Sequence, residues 1–288
     1  MTIDINININ SFKYHIELMI KKYSLIKGSY GFMSQSEIDH VKKWLKIKNV
    51  SKIEDKKIEL IRVAYTKEKI MIRHNLLKRS VKELFKLFKS GDSIKKLSVS
   101  YDFAPTAIVR QILTMYGLGK QQIKDSLLDP SLLMDPKYNN RFAKISKDIM
   151  EINNEKLDVF ASANQDESRD RAEQFEIDLG KVLTNMNVPF KTQDELSVEQ
   201  IKVHGRAINT PDFLMRSDLV INGHPIKWID AKNFYGANTF MIKISIKKQT
   251  KKYLNKWGPG AIVFRHGFSE KLNISPDVMM IGYDDLPH

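Results

Sequence analysis

The chain has 288 residues, a length typical of two domains, and its hydrophobic content of 42% excludes a wholly disordered protein. It contains no cysteine, which excludes disulfides, thiol nucleophiles and cysteine-based zinc sites. A net charge of +13 favours a polyanionic partner, although a basic protein from a lysine-rich proteome would have the same charge.

Residues 1–10 alternate isoleucine with polar residues, which predicts either a short strand or a disordered tail. This segment lacks the basic region and apolar run of a signal peptide. The remaining sequence has no uninterrupted apolar run long enough to span a bilayer, so we expect no membrane span.

The pattern of residues 11–153 predicts a series of helices, in which apolar residues recur at the helical period. Ser34 and Glu37 have the spacing of a capping box, which marks the start of a helix. Ser80 and Glu83 have the same spacing, so we predict a second helix start there. The lysine-rich positions opposite the apolar stripes are expected to face solvent.

Residues 93–117 have the pattern of a helix-turn-helix, with Pro105 suited to the first turn of the second helix. Residues 34–90 are a weaker candidate for a second such unit. If the first unit binds DNA, three outward-facing side chains of its second helix would reach a groove: Thr106, Arg110 and Gln111. A helix-turn-helix that serves only for packing is an equally weighted alternative.

Asp-Pro pairs at 129–130 and 135–136 predict a break in the helical region, and the polar stretch 161–170 is the predicted domain boundary. Residues 171–187 then predict an amphipathic helix. Glu176 lies beside its apolar stripe. On residue pattern alone it is one exposed acid among several, and Glu173 is an alternative.

Two predicted strands, joined by a tight turn at residues 222–223, follow this helix. In the second strand, Asp230 and Lys232 are two positions apart and therefore project from the same face. Alternation places Ile226 and Trp228 on that face as well. The face is therefore apolar at the start of the strand and charged at its end.

Asp212 stands at the start of the first of these strands. Together with Asp230 it offers hard oxygen ligands, which suit Mg²⁺ or Mn²⁺. Such a cation would relieve the repulsion between the carboxylates, lower the pKa of a bound water and polarise a phosphoryl oxygen. Lys232 would add positive charge where a transition state develops negative charge. A D-x-K sequence alone is a weak motif, because a charged strand end is usually just solvated.

Residues 242–256 predict a basic helix directly after the D-x-K strand. Lys247, Lys248 and Lys251 are our candidates for contacts with nucleic-acid phosphates. A solvated helix face is the common alternative for such a charge run. Gln249 and Tyr253 are one turn apart on the same face of this helix.

Several motifs in this order resemble those of the TPD family, which includes the codanin-interacting nucleases of animals and is similar to PD-(D/E)xK, Holliday-junction-resolvase-like enzymes. The matching segments are Thr210-Pro211-Asp212, Trp228–Lys232, Gly258-Pro259-Gly260 and Gly267-Phe268. The resemblance is close over residues 170–285 and looser before them. Asp230 stands where the animal sequence has glutamate, a change that the (D/E) position tolerates.

The resemblance implies a metal-dependent nuclease that cuts DNA, with structured or branched DNA as a candidate substrate. It places Glu176, Asp212 and Asp230 at an Mg²⁺ or Mn²⁺ ion, and it gives Asp212, Asp230, Lys232 and Gln249 catalytic roles. It also implies a codanin-like protein partner and a nuclear location, with the cytoplasm as a second compartment.

We therefore expect an α/β protein with two domains. Residues 1–160 are predicted to be an all-helical, helix-turn-helix-containing DNA-binding region. Residues 161–288 are predicted to form a restriction-endonuclease-like α/β domain with a mixed central sheet. Two alternatives remain open at this point: an adaptor of a codanin-like complex with weak or no nuclease activity, and a helix-turn-helix transcription regulator.

Overall fold

The structure, a computed structural model, describes residues 2–48, 53–160 and 163–287 and has a mixed α/β fold. Over these residues the strands are β1 (Thr2–Ile5), β2 (Phe190–Thr192), β3 (Phe213–Ile221), β4 (His224–Lys232), β5 (Gly260–Phe264) and β6 (Val278–Gly282). The helices of the same residues are α1 (Tyr14–Leu25), α2 (Gln35–Ile47), α3 (Asp55–Lys89), α4 (Ile94–Tyr101), α5 (Pro105–Met115), α6 (Lys120–Leu128), α7 (Ala143–Asn154), α8 (Ala163–Asn185), α9 (Gln193–His204) and α10 (Phe240–Trp257).

The chain forms two compact units, one made of Leu18–Arg169 and the other of Met1–Glu17 together with Asp170–His288. The sequence predicted a single division after residue 160, whereas here the first residues join the C-terminal part. The reason is that β1 pairs in parallel with β3, with Ile3 opposite Leu219. Of the two interpretations of residues 1–10, the strand is therefore the one that the structure contains.

A mixed sheet in the order β1-β3-β4-β5-β6, with β2 also paired to β3, confirms the predicted mixed central sheet. β3 and β4 are antiparallel, whereas β4, β5 and β6 are parallel. Apolar residues of α8 pack on one face of the sheet and those of α10 on the other. Each fully buried large apolar side chain in these two layers contributes about 1.5–3 kcal/mol.

The pairing of β3 with β4 is irregular, and β4 does not keep the alternation that the sequence predicted. Leu219 pairs with Ile226 and Leu214 pairs with Trp228, so β3 has extra residues between these two pairs. Ile226 packs in the layer of α8, whereas Trp228 packs in the layer of α10, so the alternation of β4 is broken between these two residues. The prediction that the two residues share one face was wrong, because it assumed an unbroken period of two.

The helical unit has a core made by α3 to α7, in which α5 is the most buried element. Ile108, Val109, Ile112 and Leu113 of α5 have no exposed surface. The predicted α4–turn–α5 segment therefore forms two helices, but most of the second helix is used for packing.

Asp102, in the turn between α4 and α5, holds this unit together through polar contacts. Its left-handed backbone (φ 56°) directs the carboxylate to Lys69 Nζ at 2.7 Å and to the Gly28 N–H at 2.8 Å. Arg73 Nε donates to the Asp102 carbonyl at 2.7 Å. Burial opposes ionisation of this side chain, but the hydrogen bonds from Lys69 and Gly28 lower its pKa below the ordinary value.

The structure contains the first of the two predicted capping boxes but not the second. Ser34 and Glu37 form both reciprocal hydrogen bonds at the start of α2, which confirms the first prediction. Ser80 instead lies inside α3, which continues without a break, and its hydroxyl donates to the Leu76 carbonyl at 3.0 Å. That prediction was wrong, since a serine can satisfy its hydroxyl within a helix by bonding four residues back.

No helix in the described ranges combines the length and apolar character required to cross a bilayer.

Candidate active site

The two predicted catalytic aspartates meet at one end of the β3–β4 pair. Phe213 is in register with Ile229, which places Asp212 opposite Asp230. Asp212 Oδ2 accepts a hydrogen bond of 2.6 Å from the Ala231 N–H. The antiparallel register thus brings together two carboxylates that are 18 positions apart in the sequence.

Asp230 is only 1% exposed and is contacted on both of its oxygens. Its Oδ1 accepts a hydrogen bond of 2.8 Å from Gln249 Nε2 on α10. Its Oδ2 forms an ion pair with Lys232 Nζ, two residues further along β4. The structure therefore brings four predicted site residues, Asp212, Asp230, Lys232 and Gln249, into one connected group.

The electrostatics of this group favour additional positive charge. Burial and then the charge of the neighbouring Asp230 raise the pKa of Asp212 to about 8. Burial also raises the pKa of Asp230, whereas Lys232 opposes that shift. Burial and then the Asp230 charge raise the pKa of Glu176, which is half-buried on α8. The carboxyl groups therefore resist full ionisation until a cation compensates them.

Tyr253 is a further member of the site, which the sequence indicated only as a neighbour of Gln249 on the same helix face. Gln249 Nε2 donates to the Tyr253 hydroxyl at 3.1 Å, and this hydroxyl donates to the Thr210 carbonyl at 3.3 Å. Tyr253 thus connects α10 to the segment that carries Asp212. The helical spacing to Gln249 was the available signal, but the contact with Thr210 depends on tertiary structure.

A buried tryptophan packs against the residues of the site. Trp228 is fully buried, and its indole Nε1 donates to the Gly258 carbonyl at 2.8 Å. Its ring also lies edge-on to Tyr253, with centroids 5.1 Å apart. Gly260 is placed directly against the indole, where a larger residue would overlap it. The Gly-Pro-Gly segment therefore fixes the strand that carries Asp230.

The fit of a divalent cation depends on the two facing aspartates. Among the described residues, no group of three or more His, Cys, Asp or Glu side chains is arranged to hold a metal ion. Asp212 and Asp230 nevertheless suit Mg²⁺, which is often bound through one or two carboxylates with water and substrate phosphates as the other ligands. Glu176 interacts with them through its charge, and its role as a ligand stays a prediction.

The three residues predicted to face a DNA groove lie in the helical unit, on α5. Thr106 is buried, and its backbone N–H donates to Asp158 Oδ2 at 3.1 Å. Its hydroxyl donates to the same oxygen. The prediction that Thr106 faces outward was wrong, because this side chain anchors the start of a packed helix. Arg110 and Gln111 are half-buried.

The predicted phosphate contacts Lys247, Lys248 and Lys251 are all exposed on α10. They share this helix with Gln249, although Lys247 and Lys251 are each two positions away from it. Two positions correspond to about 200° around a helix, so these two lysines project away from the Gln249 side.

Comparisons with known proteins place the site within a matched region. The family described as "Protein of unknown function TPD sequence-motif" matches residues 142–285, which include Glu176, Asp212, Asp230, Lys232 and Gln249. No solved structure matches the chain.

Three relatives illustrate the range of similarity. An uncharacterized protein of Acanthamoeba polyphaga mimivirus is 34% identical over 116 residues, covering 39% of this chain and 40% of that protein. CDAN1-interacting nuclease 1 of Xenopus laevis is 26% identical over 200 residues, covering 67% of this chain and 61% of the relative. The Mus musculus protein of the same name is 26% identical over 186 residues, covering 62% of this chain and 60% of the relative. The chain thus spans about three fifths of the length of these animal relatives.

Proposed function

The chain belongs to the family defined by the TPD sequence motif, and we propose that it is a metal-dependent endonuclease that hydrolyses phosphodiester bonds in DNA. One observation carries this proposal: Asp212 and Asp230 face each other, and both Lys232 and Gln249 contact Asp230. The name of the animal relatives, which calls them nucleases, supports the reaction class.

In the proposed reaction, water attacks the phosphorus, a new P–O bond forms and the bond to one sugar oxygen breaks, leaving a phosphate and a hydroxyl end. Asp212 and Asp230 would hold Mg²⁺ or Mn²⁺, which supplies a water of lowered pKa and polarises the phosphoryl oxygen. Lys232 places an ammonium group beside the developing negative charge. Gln249 holds the Asp230 carboxylate in position, and Glu176 adds negative charge near the cation.

This assignment corresponds to the PD-(D/E)xK pattern, with Pro211-Asp212 as its first part and Asp230-Ala231-Lys232 as its second. Structured or branched DNA remains our candidate substrate class. Those exposed lysines of α10 that face the nucleic-acid strand are proposed to contact its backbone phosphates. The α4–α5 segment is proposed to assist DNA binding through Arg110 and Gln111.

Cleavage is expected to require both the metal and Lys232. Single-stranded, duplex and four-way-junction DNA would each be incubated with the protein in Mg²⁺, Mn²⁺ or EDTA. We expect cutting with either metal and none with EDTA. Lys232→Ala should lower the rate by about 10²–10³-fold, the usual effect of removing one transition-state contact.

The matched control is Lys227→Ala. Lys227 lies on the same strand as Lys232, and its ammonium group pairs with Asp218 at the surface. The variant should cut at nearly the original rate, because surface ion pairs contribute little. Cutting that continues in EDTA, or that both variants lose equally, would contradict the proposal.

A second proposal concerns a protein partner. The animal relatives are named for interaction with CDAN1, and we propose that a codanin-like protein binds this chain in the nucleus or cytoplasm. Co-purification of tagged protein with a candidate codanin homologue would test this. We expect Asp230→Asn to retain the partner, since Asp230 is buried and unable to contact it. Failure of wild-type protein to capture the homologue would reject the proposal.

A further inference from the structure

The face of α10 that carries Gln249 extends along the helix as a regular stripe. Ser245, Lys252 and Lys256 are at positions −4, +3 and +7 from Gln249, which is the spacing of one helix face. Ser245, Lys252 and Lys256 are exposed, whereas Gln249 is half-buried because it reaches Asp230. The two lysines therefore continue outward from the candidate site along the same side of the helix.

The direction of this face is fixed by buried neighbours. Ile246, Thr250 and Tyr253 point into the protein, so Gln249 lies at the border between the buried and exposed sides of α10. Lys252 is the next exposed position beside that border. Lys247 and Lys251 project about 200° away from Gln249, from the opposite border of the exposed side.

The spacing and the charge both suit a nucleic-acid strand. Lys252 and Lys256 are separated by about 6 Å along the helix axis, which is close to the distance between neighbouring phosphates of one DNA strand. On the other side of the site, α8 and α9 carry acidic side chains, among them Glu173, Glu176 and Asp194. A polyanion is therefore attracted to the α10 side and repelled from the α8–α9 side.

We propose that Lys252 and Lys256 form a phosphate-binding track that holds the nucleic-acid strand next to the scissile phosphate. This inference rests on the proposed nuclease function, and it gives the lysines of α10 unequal roles. Lys252 and Lys256 contact the strand that enters the site, and Lys247 and Lys251 do not.

Two double variants with the same change in charge test the track. Lys252→Gln/Lys256→Gln removes the track, and Lys247→Gln/Lys251→Gln removes two equally exposed charges from the same helix. Binding of a short fluorescent DNA duplex would be measured by anisotropy in EDTA over a range of salt concentrations. We expect the track variant to lose at least about 10-fold in affinity and its salt slope to fall by about 1.8, for two phosphate contacts. The control variant should keep the original slope.

The outcomes separate this inference from the proposed function. If both variants lose DNA affinity and salt slope equally, the lysines act only through their total charge. The track is then rejected, even if the wild-type protein cuts DNA. If the track variant loses DNA affinity but wild-type protein cuts nothing with any metal, the track stands and the nuclease proposal fails. Binding of the same variants to polyglutamate tests an acidic protein as the ligand instead. If the track variant binds DNA normally but no longer binds polyglutamate, the lysines bind an acidic protein and the track is rejected.

Discussion

Replacing Asp230 by asparagine is expected to lower metal-dependent cleavage by at least about 10³-fold, the largest effect on activity that we anticipate. The substitution keeps the size of the side chain but removes its negative charge and one hard oxygen ligand. It also leaves Lys232 without its buried counter-ion, and it changes the acceptor that holds Gln249. The proposed catalytic group therefore loses its central member.

DNA binding gives the control for this prediction, because the exposed lysines are unchanged. Asp230→Asn should bind duplex DNA in EDTA with nearly the original affinity and salt slope. Asp218→Asn is a matched variant on the neighbouring strand, where the carboxylate is exposed and pairs with Lys227. It should cut DNA normally. Substantial cleavage by Asp230→Asn, or equal loss of cutting in both variants, would remove Asp230 from the catalytic group.

The closeness of the two aspartates was predictable from the sequence for a physical reason. The turn at residues 222–223 has two consecutive residues with positive φ, and such a turn joins adjacent antiparallel strands. Strand pairing then brings the end of β3 that carries Asp212 close to the end of β4 that carries Asp230, and the period of two puts Lys232 on the same face as Asp230. These two relations depend on local backbone geometry, which residue types indicate directly. The exact pairing of the two aspartates also needs the register shift between Leu214 and Leu219, because an unbroken register would set Asp212 opposite residue 233.

Sequence patterns did not predict several other contacts, because these contacts depend on tertiary packing. The irregular pairing of β3 with β4 has no residue signature, so sequence patterns did not predict that Ile226 and Trp228 lie on different faces. Thr106 has the spacing of an exposed helix residue, yet a partner 52 positions later in the sequence, Asp158, accepts its hydrogen bonds. The Tyr253–Thr210 contact likewise joins segments whose proximity only the folded sheet establishes.

The largest expected loss of stability comes from Gly260→Ala. The added Cβ would lie 2.6 Å from the Trp228 Nε1 and still closer to two ring carbons. The indole has little room to move, because it is fully buried, donates to the Gly258 carbonyl and packs against Tyr253. Overpacking of this kind costs about 3 kcal/mol or more when the surroundings are rigid. Chemical denaturation monitored by tryptophan fluorescence and by circular dichroism would measure the loss.

Gly258→Ala separates this packing effect from backbone strain. Gly258 has φ +86° and ψ −152°, a backbone region essentially restricted to glycine, and no atom would lie within 4 Å of an added Cβ. We therefore expect a cost of about 1–3 kcal/mol from backbone strain alone, less than the cost of Gly260→Ala. Gly260→Ala combined with Trp228→Leu should recover part of the loss, because the smaller side chain removes the overlap and the two sites couple. Trp228 precedes Asp230 by two residues, so Gly260→Ala should also reduce cleavage in the fraction that remains folded. If Gly260→Ala is no less stable than Gly258→Ala, or if the double variant recovers nothing, the indole is not the obstacle and Gly260 serves another purpose.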